Sequence, residues 1–120
     1  MQFLWLWIFV SGGLGAITRH LLSESMGSIS GTLLVNGLGC LAFGFLYALF
    51  EHHYVASEYR TIVLAGFLGG FTTMSAFAGH VLLFFNQQRV CDGIVYLLGT
   101  NAIALSAVWI GFISAYAILK

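Results

Sequence analysis

Four long apolar stretches follow one another along this chain, and each has the length that a helix needs to cross a membrane. They cover residues 2–22, 31–50, 60–85 and 93–119. A membrane-spanning helix requires about 20 predominantly apolar residues, because the hydrocarbon core is roughly 30 Å thick. Only 7% of the chain is charged, whereas soluble domains carry about 25% charged residues. The sequence therefore predicts an all-α integral membrane protein, with one four-span domain over residues 1–120.

The basic residues are few and do not cluster. With four spans, both termini and the second loop lie on one side of the membrane, with Arg60 and Lys120; Arg19 and Arg89 lie on the other. Nucleic-acid binding requires clustered Lys and Arg, so we expect no nucleic-acid partner. Membrane orientation follows an excess of Lys and Arg in cytoplasmic loops. No excess exists here, so we expect insertion in both orientations and antiparallel pairing of two copies; the alternative is that weaker signals select one orientation.

Several polar residues lie inside the apolar stretches. Asn36 is well inside the second stretch, and Tyr96 and Thr100 are one helical turn apart in the fourth. Such residues mark either helix–helix contacts or a solute path, and taken singly each is explained by packing. No Asp or Glu lies deep in any stretch. Proton-coupled carriers generally need a membrane carboxylate, so this pattern disfavours a small multidrug-type carrier.

The third stretch contains the most unusual local sequence, GFLGGFTTMSAF over residues 66–77. Three glycines followed by two threonines favour an interruption of the helix. Carbonyl groups released at such a break can bind a cation when they face protein or a cavity. The alternative is a continuous helix whose glycines pack closely against a neighbour. The spacing alone leaves both possibilities open.

Three ordered motifs resemble those of the Fluc (CrcB) family of fluoride channels. Residues 12–19 read GGLGAITR and resemble the family motif GGxxGAxxR; residues 31–44 resemble GTLxVNxxGxxxxG; residues 66–77 resemble GFLGGxTTFSTF. The resemblance covers essentially the whole chain. It implies a fluoride channel in a cell membrane, built as an antiparallel dual-topology dimer with its third helix interrupted in mid-membrane.

The resemblance also implies which residues carry the function. A structural sodium ion at the dimer centre would be held by the backbone carbonyls of Gly69 and Thr72. The fluoride pore would be formed by the following residues: Arg19 near the vestibule, then Asn36, Thr73, Met74, Phe77, Tyr96 and Thr100. Amide and hydroxyl hydrogens can replace the water around fluoride, and the positive edge of an aromatic ring can contact an anion sideways.

Three positions depart from the family pattern. Met74 stands where the family has the first of two phenylalanines, Ala76 replaces a threonine, and His80 replaces a glutamate. Apart from these three positions, the resemblance implies a passive fluoride-exporting homodimer, not an enzyme. It leaves open a non-conducting half of a heterodimeric channel, since a methionine lacks the positive ring edge.

Overall fold

The computed structural model describes residues 2–120, and within that range every regular element is helical. Helices α1 and α2 follow each other directly along the chain, and the third predicted stretch is divided into several pieces. The elements are α1 (Leu4–Met26), α2 (Ser28–Glu51), α3 (Glu58–Arg60), a π-helix (Thr61–Leu68), α4 (Gly69–Phe71), α5 (Met74–Asn86) and α6 (Val90–Ile118). The predicted all-helical fold is confirmed.

The connection between α1 and α2 is a single residue, Gly27. Its φ of 82° lies in the left-handed region, where a side chain is strained and glycine is not. The two helices therefore extend through the serine-rich segment 23–28, which the sequence suggested as a loop. Ser23 packs so closely against Gly31 that a Cβ on Gly31 would collide with the Ser23 backbone.

The helices pack in two pairs, α2 along α6 and α1 along the π-helix and α4. Glycines stand at the closest contacts. A Cβ on Gly44 would run into the carbonyl of Val108, and a Cβ on Gly70 would run into that of Gly12. These approaches follow the rule that helices in membranes meet through small residues.

The molecule is thin, and much of its apolar surface is uncovered. It measures 49 × 34 × 20 Å, so the short dimension is about two helix diameters. Large side chains such as Phe9 and Leu105 are 76% and 73% exposed. Soluble monomers rarely expose contiguous apolar patches of more than a few hundred Å². This surface therefore requires lipid or a second subunit as its environment.

Within residues 2–120, three helical segments are long and apolar enough to cross a membrane: Ser28–Glu51, Glu58–Asn86 and Val90–Ile118. Helix α1 has 23 residues, which is also sufficient length. Its C-terminal part, however, carries Arg19, His20 and Glu24. The spanning role of α1, and with it the four-span topology, stays a prediction.

A matched pair of glycine substitutions on α2 tests the packing against α6. Gly44→Ala places a methyl group against the Val108 backbone and should lower the free energy of unfolding by about 1–3 kcal/mol, the usual effect of overpacking. Gly37→Ala places it 3.8 Å from the Ile103 side chain, an ordinary contact. That variant should be neutral or slightly stabilising, since alanine favours a helix over glycine. Thermal unfolding in detergent measures both, and equal stabilities would contradict this packing.

Candidate functional site

The helix break lies between α4 and α5, where two threonines have extended backbone. Thr72 has φ −81° and ψ 155°, and Thr73 has φ −144° and ψ 108°. In a continuous helix the N–H of Thr73 would bond to the carbonyl of Gly69. That N–H instead donates to Oδ1 of Asn36 at 2.7 Å, and Nδ2 of Asn36 donates to the Thr73 carbonyl at 3.1 Å. Asn36 on α2 thus holds both polar groups of the Thr73 backbone.

The hydroxyl of Thr73 caps the N-terminus of the next helix, α5. Its Oγ1 accepts a hydrogen bond from the N–H of Ala76 at 3.2 Å, which is an N-cap for α5. Thr73 is 8% exposed. Its backbone and side chain are therefore both engaged, which holds the break in one geometry.

A cavity of about 200 Å³ opens beside the break. It is lined by residues of α2, the break, α5 and α6: Asn36, Cys40, Thr72, Thr73, Met74, Phe77, Thr100, Asn101 and Ala104. Five of the seven predicted pore residues lie together here, whereas Arg19 and Tyr96 do not line the cavity. Asn101, the neighbour of Thr100, was not among the predicted pore residues, and neither were Cys40 and Ala104. The latter two each lie one helical turn after a predicted residue, Asn36 or Thr100, and this spacing was the signal that could have identified them.

The cavity contains hydrogen-bond donors whose hydrogens are not all used within the protein. Thr100 is 7% exposed, and within residues 2–120 its Oγ1 is buried without a partner at full hydrogen-bond geometry, its neighbour being the Tyr96 hydroxyl one helical turn away. A buried hydroxyl without a partner is unusual, because it loses its bonds to water. Asn36 Nδ2 carries two hydrogens, of which Thr73 takes one. The site can therefore donate hydrogen bonds to a small solute.

Phe77 and Met74 both line the cavity, but they differ in how far each side chain is buried. Phe77 is 4% exposed, whereas Met74 is 72% exposed. The ring of Phe77 packs against that of Tyr96, with centroids 5.5 Å apart. Phe77 is thus held by its own chain, and the side of the cavity at Met74 is open in a single chain.

Tyr96 stands behind Phe77 and does not itself line the cavity, but its hydroxyl lies near both Thr100, which does, and His80. Its hydroxyl lies 3.2 Å from Nδ1 of His80, and Nε2 of His80 lies 2.8 Å from Oγ of Ser28. His80 is 9% exposed. The sequence indicated His80 only as a departure from a motif and did not predict this bridge between α2, α5 and α6.

Arg19 contacts the break itself. Its Nη1 donates to the Thr72 carbonyl at 3.3 Å. This carbonyl is one of the two that the resemblance assigns to a sodium ion. Carbonyl oxygens suit a hard cation, and Gly69 has lost the Thr73 N–H as its helical donor. The donor set therefore fits a hard cation at Gly69, while at Thr72 a guanidinium group already occupies one side of the oxygen.

The chain matches the family described as CrcB-like protein, Camphor Resistance (CrcB), over residues 6–112. This match covers most of the chain, including α1, the break and most of α6. It confirms the family resemblance that the three sequence motifs indicated.

Three curated relatives of similar length are 31% or 37% identical to this chain. A protein of Nitrosococcus oceani is 37% identical over 113 residues, covering 88% of this chain and 90% of the relative. A protein of Desulforapulum autotrophicum is 37% identical over 94% of this chain and 96% of the relative. A protein of Helicobacter pylori is 31% identical over 96% of this chain and 95% of the relative. Each of the three is named Fluoride-specific ion channel FluC.

Proposed function

Because the chain belongs to the CrcB family, we propose that it is a subunit of a fluoride-selective ion channel in the cell membrane. Fluoride would leave the cytoplasm passively down its electrochemical gradient, which reduces fluoride toxicity, and no catalytic step is involved. The observation that carries this proposal is the cavity itself, in which the buried Thr100 hydroxyl and the Asn36 amide lie beside the ring of Phe77.

The cavity has the chemistry that a small, strongly hydrated anion needs. It combines hydroxyl, amide and thiol groups with one aromatic ring, and its lining contains neither a carboxylate nor a basic side chain. Carboxylates would repel fluoride, and a lysine would hold it too firmly for conduction, which requires sites that the ion can leave. Many weak donors can replace water without trapping the ion.

A second copy of the chain completes the proposed channel. Met74 lines the cavity yet is 72% exposed, so a single chain leaves this side open. A Cβ added to Gly13, Gly79 or Gly99 would meet no atom within 4 Å. Bare glycines on a helix surface allow close approach of another helix. An antiparallel partner that covers Met74 would close the cavity and bury apolar area.

The proposed dimer would hold a structural sodium ion at its centre through the carbonyls of Gly69 and Thr72. Two carbonyls are fewer ligands than a hard cation takes, so the second copy would supply the others. The break releases the Gly69 carbonyl from the Thr73 N–H, which supports this role. The proposed ion would stabilise the pairing of the two breaks.

We expect the two membrane orientations to be about equally populated. Arg60 and Lys120 fall on one side and Arg19 and Arg89 on the other, so the basic residues give the insertion machinery no direction. Reporter domains fused to the C-terminus should label both membrane faces. Adding two or three lysines to one loop should select one orientation and abolish assembly, unless an oppositely oriented copy is co-expressed. Label on one face only would exclude the antiparallel homodimer.

Fluoride efflux from liposomes that contain this protein alone tests the proposed function. Rapid efflux of fluoride, without efflux of chloride under the same gradient, supports a selective channel formed by one kind of chain. A multidrug-type carrier would instead exchange cationic drugs for protons. A non-conducting half of a heterodimer would give no efflux alone and would conduct only with its paralogue.

A further inference from the structure

His80 connects three helices through both nitrogens of its ring. Nε2 reaches Oγ of Ser28 at the start of α2, and Nδ1 reaches the hydroxyl of Tyr96 on α6. The rings of His80 and Tyr96 meet edge-on, at 69° and 6.0 Å between centroids. Ser28 is exposed and His80 is buried. The bridge therefore runs from the outside of the chain to the ring that packs behind Phe77.

The protonation state of His80 decides what the Tyr96 hydroxyl can do. In a neutral imidazole one nitrogen is a donor and the other an acceptor, whereas in the charged form both are donors. When Nδ1 is the acceptor, it takes the hydroxyl hydrogen of Tyr96. When His80 is charged, Nδ1–H donates to the Tyr96 oxygen, and the hydroxyl hydrogen is free for another acceptor.

The two side chains that are hydrogen-bonded to His80 carry no formal charge that would fix its protonation state. Ser28 on α2 is a hydroxyl that can donate or accept, and Tyr96 on α6 is the titratable group in contact with the ring. The ion pairs within residues 2–120 join other residues, namely His20–Glu24, Arg60–Glu51 and Arg89–Asp92. In this part of the chain, therefore, no carboxylate holds His80 in the charged form by direct contact.

We propose that His80 is a proton-dependent positioning residue, which turns the Tyr96 hydroxyl into a hydrogen-bond donor for fluoride when His80 is protonated. This inference rests on the proposed fluoride-channel function. Tyr96 packs directly against Phe77, and Phe77 lines the cavity. The Tyr96 hydroxyl also neighbours Thr100, which lines the cavity, so a hydrogen released from His80 can turn toward the cavity. Fluoride conduction therefore increases as the pH falls.

Fluoride efflux from liposomes, with equal pH on both sides, tests the proposal. Between about pH 8 and about pH 4.5, a range that extends below ordinary histidine titration because His80 is buried, wild-type efflux should increase roughly three- to tenfold, as expected for one hydrogen bond gained. Efflux from empty liposomes is subtracted at each pH, because neutral HF crosses a bilayer unaided. His80→Gln should give a flat profile, because a glutamine does not titrate. His53→Gln removes an exposed histidine of the second loop and should keep the wild-type profile.

Tyr96→Phe separates the positioning of the hydroxyl from the charge of His80. This variant keeps the histidine and removes the hydroxyl, so its efflux should be flat with pH. Nitrogen-15 spectra of the imidazole rings provide a readout that needs no flux. Tyr96→Phe should shift the His80 Nδ1 resonance and Ser28→Ala the Nε2 resonance, with His80→Gln supplying the assignment.

The outcomes separate this inference from the function on which it rests. Wild-type efflux that is flat or that increases with pH overturns the inference and leaves the channel function intact. If Tyr96→Phe keeps the pH profile of the wild type, the inference is also overturned, because the charge of His80 would then act without the Tyr96 hydroxyl. Spectra in which neither substitution moves a His80 nitrogen overturn the bridge whatever the flux. Absence of fluoride efflux at every pH overturns conduction by this chain alone, and this role of Tyr96 with it.

Discussion

Asn36→Asp is expected to abolish fluoride efflux while the protein still folds. The Oδ1 position that accepts from Thr73 N–H at 2.7 Å is kept in an aspartate, so the helix break retains its shorter hydrogen bond. A carboxylate at the cavity would repel fluoride by about 4 kcal/mol at 4 Å with an effective dielectric constant near 20. That energy corresponds to a roughly thousandfold lower anion occupancy.

A hydrogen bond made by Asn36 gives a second reason why Asn36→Asp should abolish fluoride efflux. Nδ2 of Asn36 donates to the Thr73 carbonyl at 3.1 Å. An aspartate would place an oxygen there instead, so this donor would be lost.

The same exchange at Asn86, an exposed residue at the end of α5, should leave efflux unchanged. Liposome efflux of the two purified variants makes the comparison, with gel filtration to verify the dimer. Wild-type efflux from Asn36→Asp would exclude this residue from the fluoride path.

Phe77→Ile is expected to reduce fluoride efflux to near the background of empty liposomes. Isoleucine retains much of the volume of the ring and removes its positive edge, the part of an aromatic ring that can contact an anion. Phe77 is 4% exposed and lines the cavity. A hydrophobic exchange of similar volume usually lowers stability by less than about 1.5 kcal/mol, so a folded, non-conducting protein should result.

Phe84 provides the matched control for this substitution. It lies on the same helix, is 8% exposed, and packs against the same Tyr96 ring at 5.7 Å, but it does not line the cavity. Phe84→Ile should therefore have a comparable effect on stability and keep most of the fluoride efflux. Equal efflux from the two variants would contradict the role of the Phe77 ring edge.

Met74→Phe then distinguishes a working homodimer from half of a heterodimer. Methionine is flexible and polarisable and can fill the space of a phenylalanine, but it has no ring edge. If the chain conducts alone, Met74→Phe should be tolerated, with efflux equal to or above wild type. If the chain is a degenerate half, liposomes with wild type alone should show no efflux, and Met74→Phe should restore part of it.

The amino-acid sequence by itself determined the class of fold and most of the cavity. Apolar stretches of spanning length predicted helices, and no other backbone arrangement satisfies its polar groups in lipid without closing into a barrel. Helical spacing placed Tyr96 and Thr100 one turn apart. The family motifs identified Asn36, Thr73, Met74 and Phe77, which share one cavity with Thr100, a residue that the wider resemblance assigned. These features depend on local spacing and on motifs, both of which are readable along the chain.

Only the tertiary structure decided how side chains pair across helices. Asn36 holds the Thr73 backbone 37 residues away, Arg19 reaches the Thr72 carbonyl 53 residues away, and His80 bridges Ser28 and Tyr96. Spacing along a helix determines which residues share a face, but not which face meets a neighbour, or at what depth. Those relations follow from close backbone contacts such as Gly70 against Gly12. Tyr96 therefore lies behind Phe77 and is hydrogen-bonded to His80, because the packing of α5 on α6 places it there.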